Sequence, residues 1–103
     1  MMKPFITFWL YDSTPILVFS KDQLDEINLT PGKFVDELDS LLEADVIGYA
    51  VQKQYLYEAG NLQTRTLVTV EFKFGFGDNF EESDAENILD QYRFIINKYY
   101  KNM

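Results

Sequence analysis

Hydrophobic and polar residues alternate strictly in the second half of this chain. In the range 65–76, every second residue from Val68 to Phe76 is large and apolar, and the residues between them are mostly polar. The range 46–57 alternates in a similar way, and Ala59-Gly60-Asn61 interrupts the run. Alternation with a period of two indicates strands, and two such runs around a turn predict a β-hairpin.

The first twenty residues predict another hairpin. Residues 4–11 and 15–20 are rich in β-branched and aromatic side chains, and Asp12-Ser13-Thr14 between them is typical of a turn. Both rows of the first strand are apolar, so we expect that strand to need cover on both faces. The row Phe5, Trp9 and Tyr11 is the candidate dimer face if it lies on the uncovered side of the sheet. In the alternative arrangement these rings face the helices, and the row Ile6, Phe8 and Leu10 needs the cover instead.

Two helices are indicated by their start signals. Thr30-Pro31 supplies a capping side chain followed by proline at the first helical position. Ser83 followed three residues later by Glu86 matches a capping box. A weaker signal at Ser20 indicates a short helical turn over residues 20–27. The predicted buried stripes are Phe34, Leu38, Leu41 and Leu42 in the first helix, and Ala85, Ile88, Tyr92, Ile95, Ile96 and Tyr99 in the second.

The resulting order, β-β-α-β-β-α, predicts an α+β fold. We expect a four-stranded, mainly antiparallel sheet with two helices packed on one face. A chain of 103 residues is long enough to bury its own core, so we treat residues 1–103 as a single acidic α+β domain.

The amino-acid composition excludes several classes of catalytic and metal-binding site. The chain has 17 acidic and 9 basic residues, and it lacks both histidine and cysteine. This excludes disulfides, cysteine- or histidine-ligated zinc and nucleophile–histidine catalysis. We therefore expect no enzymatic activity, no cofactor and no metal.

The net charge of −8 also bears on partners and location. It disfavours binding to nucleic acids or anionic membranes. The longest apolar run, residues 5–11, is far shorter than the roughly 20 residues of a spanning helix, so we expect a cytoplasmic protein.

Acidic residues cluster on the predicted outer faces of both helices. Acids near a helix N-terminus also stabilise the helix dipole, and a charged outer face also serves solubility. The alternative is contact with a basic protein, in which Phe94, on the polar side of its helix, acts as an anchor. The residues predicted to bind a partner are Asp36, Asp39, Glu43, Asp78, Glu81, Glu82, Asp84, Glu86, Asp90 and Phe94.

These features favour a small acidic inhibitor or regulator that occludes a basic, nucleic-acid-handling protein. Immunity proteins, antitoxins and phage anti-defence proteins are classes with this character, and the carboxylates would stand in for nucleic-acid phosphates. The alternative is a structural or assembly subunit that forms a homodimer through its aromatic sheet face.

Overall fold

Strands and helices account for most of the described chain. The computed structural model describes residues 3–9, 13–42, 46–73 and 80–102. The elements in these ranges are β1 (Phe5–Phe8), β2 (Pro15–Ser20), α1 (Asp22–Glu26), α2 (Pro31–Leu41), β3 (Val46–Glu58), β4 (Asn61–Phe72) and α3 (Glu82–Lys101). The predicted order is confirmed, with the short helical turn after β2 present as α1.

The four strands form one antiparallel sheet in the order β1-β2-β4-β3. β2 lies inside the sheet, and all six of its residues are buried. Leu17 pairs with Val70 and Phe19 pairs with Val68, so these four side chains point to the same face of the sheet. The α+β class and the four-stranded antiparallel sheet are therefore confirmed.

The core lies between this face of the sheet and the helices. α2 and α3 pack on the same side, and their apolar stripes meet the inward residues of β2 and β4. The core residues are Leu17, Phe19, Leu24, Ile27, Leu29, Phe34, Val35, Leu38, Leu42, Val68, Val70, Phe72, Ile88, Tyr92, Ile95 and Ile96. Four residues of the stripe predicted for α3, from Ile88 to Ile96, are buried in the core, and Tyr99 is partly buried against it. Ala85, also predicted for the stripe, is only half-buried and does not belong to the core cluster.

Helix α2 begins as predicted. The Thr30 hydroxyl accepts a hydrogen bond from the Lys33 N–H at 3.3 Å, and proline occupies the first turn. The prediction for Leu41 is wrong, because its side chain is exposed. Leu41 lies at the margin of the apolar stripe and faces the groove between α2 and α3, while Val35 takes a buried place in the core.

Helix α3 begins earlier than predicted, and Ser83 is not its N-cap. The N-cap is Glu81, and the Asp84 carboxylate accepts a hydrogen bond from the Glu81 N–H at 2.9 Å. A carboxylate thus plays the part predicted for Glu86, two residues nearer the N-terminus. At α1 the N-cap is Lys21, and the Ser20 hydroxyl accepts from the Asp22 N–H at 3.3 Å without capping the helix.

The β3–β4 hairpin extends beyond the rest of the sheet. β4 begins at Asn61, earlier than the predicted Arg65, and Ala59-Gly60 makes a two-residue turn with φ of 51° and 80°. The β2–β4 ladder ends at Ser20 and Leu67. Residues 53–66 are therefore a two-stranded ribbon, which we call the arm. Phe74 and Phe76, predicted to continue β4, lie outside the described residues.

Candidate protein-binding surfaces

The acids at the start of α3 have two different roles. Asp84 is engaged with the backbone of Glu81 and so stabilises the helix start. Glu82 and Glu86 are exposed and belong to a row with Asp90 and Phe94, each four residues from the next. Residues four apart lie on the same side of a helix, so three carboxylates lead along one face to an exposed ring. Asp78 lies outside the described residues.

Asp90 is the member of this row that forms an ion pair. The Arg93 guanidinium lies 2.6 Å from the Asp90 carboxylate, and both side chains are exposed. An exposed ion pair of this kind contributes little stability, about 0.2–1 kcal/mol. It does, however, reduce the negative potential next to Phe94, so the strongest unpaired charge of the row is at Glu82 and Glu86.

On α2, Asp36 and Asp39 are also placed differently. The Asp39 carboxylate accepts a hydrogen bond from the Val46 N–H at 3.2 Å and so ties α2 to the start of β3. Asp36 is exposed and lines the groove between α2 and α3. Glu43 lies outside the described residues. Asp39 is therefore explained by a structural bond, whereas Asp36 is available to a partner.

A groove lies between α2 and α3. It has a volume of about 540 Å³, and its apolar lining consists of Leu41, Phe94 and Ile95. Phe94 is 56% exposed. Asp36 and Lys98 add opposite charges at the rim. A partly exposed ring beside a shallow apolar depression with charged edges is typical of a protein contact.

Glu37 makes two side-chain hydrogen bonds to α3, although the sequence pattern places it only at the flank of α2. Its carboxylate accepts hydrogen bonds from the Lys98 ammonium at 2.8 Å and the Tyr99 hydroxyl at 2.5 Å. Burial raises the pKa of Glu37, but the bonds from Lys98 and Tyr99 outweigh it and lower the pKa below its usual value. Glu37 therefore joins the two helices, and its charge is satisfied within the protein.

The acids of the two helices do not form one compact cluster. α2 approaches α3 near Phe94 and Lys98. Glu82 lies twelve residues before Phe94, which is about 18 Å along a helix. Asp36 and Phe94 are brought together, and Glu82 and Glu86 extend away from them along α3.

The outer face of the sheet exposes some of the predicted aromatic row. Phe5 pairs with Val18, on the face opposite Leu17 and Phe19, and is 44% exposed. Trp9 is also 44% exposed, and its backbone N–H donates to the Thr14 carbonyl at 3.0 Å. Tyr11 lies outside the described residues. Two of the three rings are therefore accessible.

A second apolar surface, not singled out from the sequence, lies on the β3–β4 hairpin. Tyr55 is 64% exposed and Tyr57 is 77% exposed. The register places this surface on the same face of the sheet as the core, because Tyr49 pairs with Val70 and Tyr57 pairs with Leu62. We call it the hairpin patch; it consists of Tyr49, Val51, Tyr55, Tyr57 and Leu62. The alternation of β3 is the available signal, but alternation does not tell which strand ends at an edge.

The described ranges contain no group of three or more acidic residues placed to hold a metal ion. None of the helices in those ranges is both long and apolar enough to cross a bilayer. Comparisons with protein-family models, with curated proteins and with solved structures give no match.

Proposed function

We propose that this protein binds a basic protein partner through the outer surface of α3 and the α2–α3 groove, and thereby inhibits or regulates it. The observation that carries this proposal is the row Glu82, Glu86, Asp90 and Phe94, in which exposed carboxylates lead to an exposed ring. The helix dipole favours an acid at Glu82, in the first turn of α3, but it does not account for Glu86 and Asp90 further along, where like charges four residues apart destabilise the helix slightly.

The mechanism is occlusion. Carboxylates of Glu82 and Glu86 attract Lys and Arg side chains of the partner and speed the encounter. Phe94 and Leu41 then lose water against the partner and slow dissociation. A nucleic-acid-handling protein suits this surface, because its groove is basic and attracts carboxylates as it attracts phosphates. An immunity protein, an antitoxin or a phage anti-defence protein acts in this way.

The proposal is tested by capture from a lysate of the native host with two charge-reversed variants. Glu82→Lys with Glu86→Lys changes the net charge from −8 to −4, and so does the control, Asp22→Lys with Glu58→Lys. All four side chains are exposed. We expect the wild type and the control to retain the same basic protein at low salt, and the α3 variant to lose it.

The captured protein is then assayed for nucleic-acid binding or cleavage. Phe94→Ala is expected to weaken its inhibition about tenfold or more, mainly through faster dissociation. The proposal is contradicted if the same protein is captured equally well at high salt and by the α3 variant. It is also contradicted if Phe94→Ala inhibits as strongly as the wild type.

A second candidate is a structural or assembly subunit that forms a homodimer through its outer sheet face. The observation in its favour is the exposure of Phe5 and Trp9. Replacing both rings by serine should then dissociate the dimer without unfolding the monomer. An unchanged mass in solution after this double substitution would eliminate the candidate.

A further inference from the structure

The outer edge of β3 is long. β3 spans thirteen residues, and among the described residues it pairs with β4 on one side only, since the sheet order places it at the edge. In an antiparallel ladder every second residue points its N–H and C=O away from its neighbour, so β3 offers a row of unpaired backbone groups. Proteins commonly blunt such edges with proline or charge. β3 contains no proline; its two charged residues are Lys53 and Glu58, and its register shift, between Val46 and Gly48, lies at its start.

The arm is a second reason to expect another strand beside β3. Residues 53–66 form a two-stranded ribbon beyond the last pair of the β2–β4 ladder. A two-stranded hairpin is marginally stable by itself in water, and further strands on its edge stabilise it. The arm nevertheless carries Tyr55, Tyr57 and Leu62, all more than half exposed.

Charge indicates what covers this surface. Lys53 and Arg65 balance Glu58 and Glu71, so the β3–β4 hairpin is neutral, and the whole net charge of −8 lies elsewhere in the chain. A basic partner is attracted to the acidic helices and gains nothing from this hairpin. A second copy of this acidic chain, in contrast, is repelled everywhere except at a neutral surface.

Edge-to-edge pairing with a second copy also brings side chains together. It covers the flanks of the exposed residues Tyr49, Val51 and Tyr55, in addition to the free backbone groups of β3. Leu62 lies on β4, one strand away from this edge, and takes no part in the contact.

We propose that two copies of this chain associate by antiparallel pairing of their β3 strands, so that the two sheets become one. A two-fold axis at Gln52 pairs the regular part of the strand, residues 48–56, with itself and leaves the register shift between Val46 and Gly48 at the end of the ladder. It places Tyr49 opposite Tyr55 of the partner subunit and Val51 opposite Lys53 of the partner subunit. An axis at Lys53 instead opposes two like charges, which is unfavourable. The inference is independent of the proposed function, because it uses a different surface.

The absence of cysteine from the sequence provides a direct test. Residues opposite each other in an antiparallel pair have Cα atoms about 4.5–5.5 Å apart, within the range of a disulfide. Gln52→Cys is therefore expected to form a covalent dimer under mild oxidation at micromolar concentration. Gln63→Cys, on β4, is the matched control. Three strand spacings, about 14 Å, separate the two β4 strands of the dimer, so this variant should stay uncrosslinked.

Light scattering supplies the second test. The wild type should have twice the 12.1 kDa mass of one chain, and Val51→Lys should be monomeric because it opposes Lys53 of the partner subunit. Val51 is exposed, so circular dichroism should show an intact fold in this variant. A monomeric wild type at about 100 µM overturns the inference. A dimer that persists in Val51→Lys also overturns it, and so does a dimer that Phe5→Ser dissociates. Crosslinking of Gln63→Cys without crosslinking of Gln52→Cys has the same consequence.

Discussion

The hydroxyl of Tyr92 offers a sharp test of the packing in the core. The Tyr92 ring lies between Phe19, with centroids 5.0 Å apart, and Phe34, at 5.7 Å, and its side chain is 4% exposed. The hydroxyl oxygen has no hydrogen-bond partner among the described residues. A buried polar group without a partner costs about 1–3 kcal/mol. We therefore predict that Tyr92→Phe raises the free energy of unfolding by about 1–2 kcal/mol.

The pH dependence of this effect follows from the same burial. Burial raises the pKa of Tyr92 to about 12, and the nearby Tyr100 contributes to the increase. Between the ordinary value of 10 and this value, the unfolded chain ionises Tyr92 while the folded chain keeps it neutral. Tyr92 therefore destabilises the wild type as the pH rises from 10 to 12. Tyr92→Phe lacks this loss, so its advantage should widen over that range.

The assay is thermal and urea unfolding followed by circular dichroism. For a domain of about 100 residues, 1 kcal/mol corresponds to roughly 4–8 °C in Tm. Tyr99→Phe is the matched control, because it removes the same atom from a hydroxyl that donates to Glu37 at 2.5 Å. It should lower stability by about 0.5–1.5 kcal/mol. If Tyr92→Phe is destabilised like the control, the Tyr92 hydroxyl is satisfied and the reasoning is wrong.

Two further substitutions test local features. Glu37→Gln should cost about 0.5–1.5 kcal/mol at neutral pH, because it weakens the bonds from Lys98 and Tyr99. Since the folded pKa of Glu37 is lowered, this stabilisation exists above the usual value of 4.5 and is lost as the pH falls below it, so acid unfolding curves of the two proteins should converge. Ala59→Asn should raise Tm, with a gain of about 0.5–1 kcal/mol, because φ at Ala59 is 51° and asparagine tolerates this conformation better. An unchanged or lower Tm would count against that turn geometry.

Elements with strong local signals are predictable from the sequence. Thr30 and Pro31 identify the start of α2, and the alternation of Val68, Val70 and Phe72 identifies the buried face of β4. In both cases the decisive interactions lie within a few residues along the chain. The start of α3 is harder, because Ser83 and Asp84 are both good capping residues and only the geometry selects the carboxylate.

The candidate sites are less predictable, because exposure depends on distant parts of the chain. The helical angle identifies Phe94, but the groove beside it requires α2, which lies far earlier in the sequence. No local pattern identifies Glu37, since its partner Lys98 lies on the other helix. The exposed rings of Tyr55 and Tyr57 lie where the β3–β4 hairpin extends beyond the β2–β4 ladder, and periodicity carries no information about where a neighbouring strand ends.

The buried strand β2 has a consequence for how the chain is made. β2 pairs with β4, for example Ile16 with Glu71. This pairing cannot form until roughly fifty residues after β2 have been synthesised. At about 5–20 residues per second, the ribosome takes several seconds to supply them. During that time PILVFS, which the finished protein shields completely, is a nascent segment prone to aggregation. Translation speed between β2 and β4 should therefore influence the yield of folded protein.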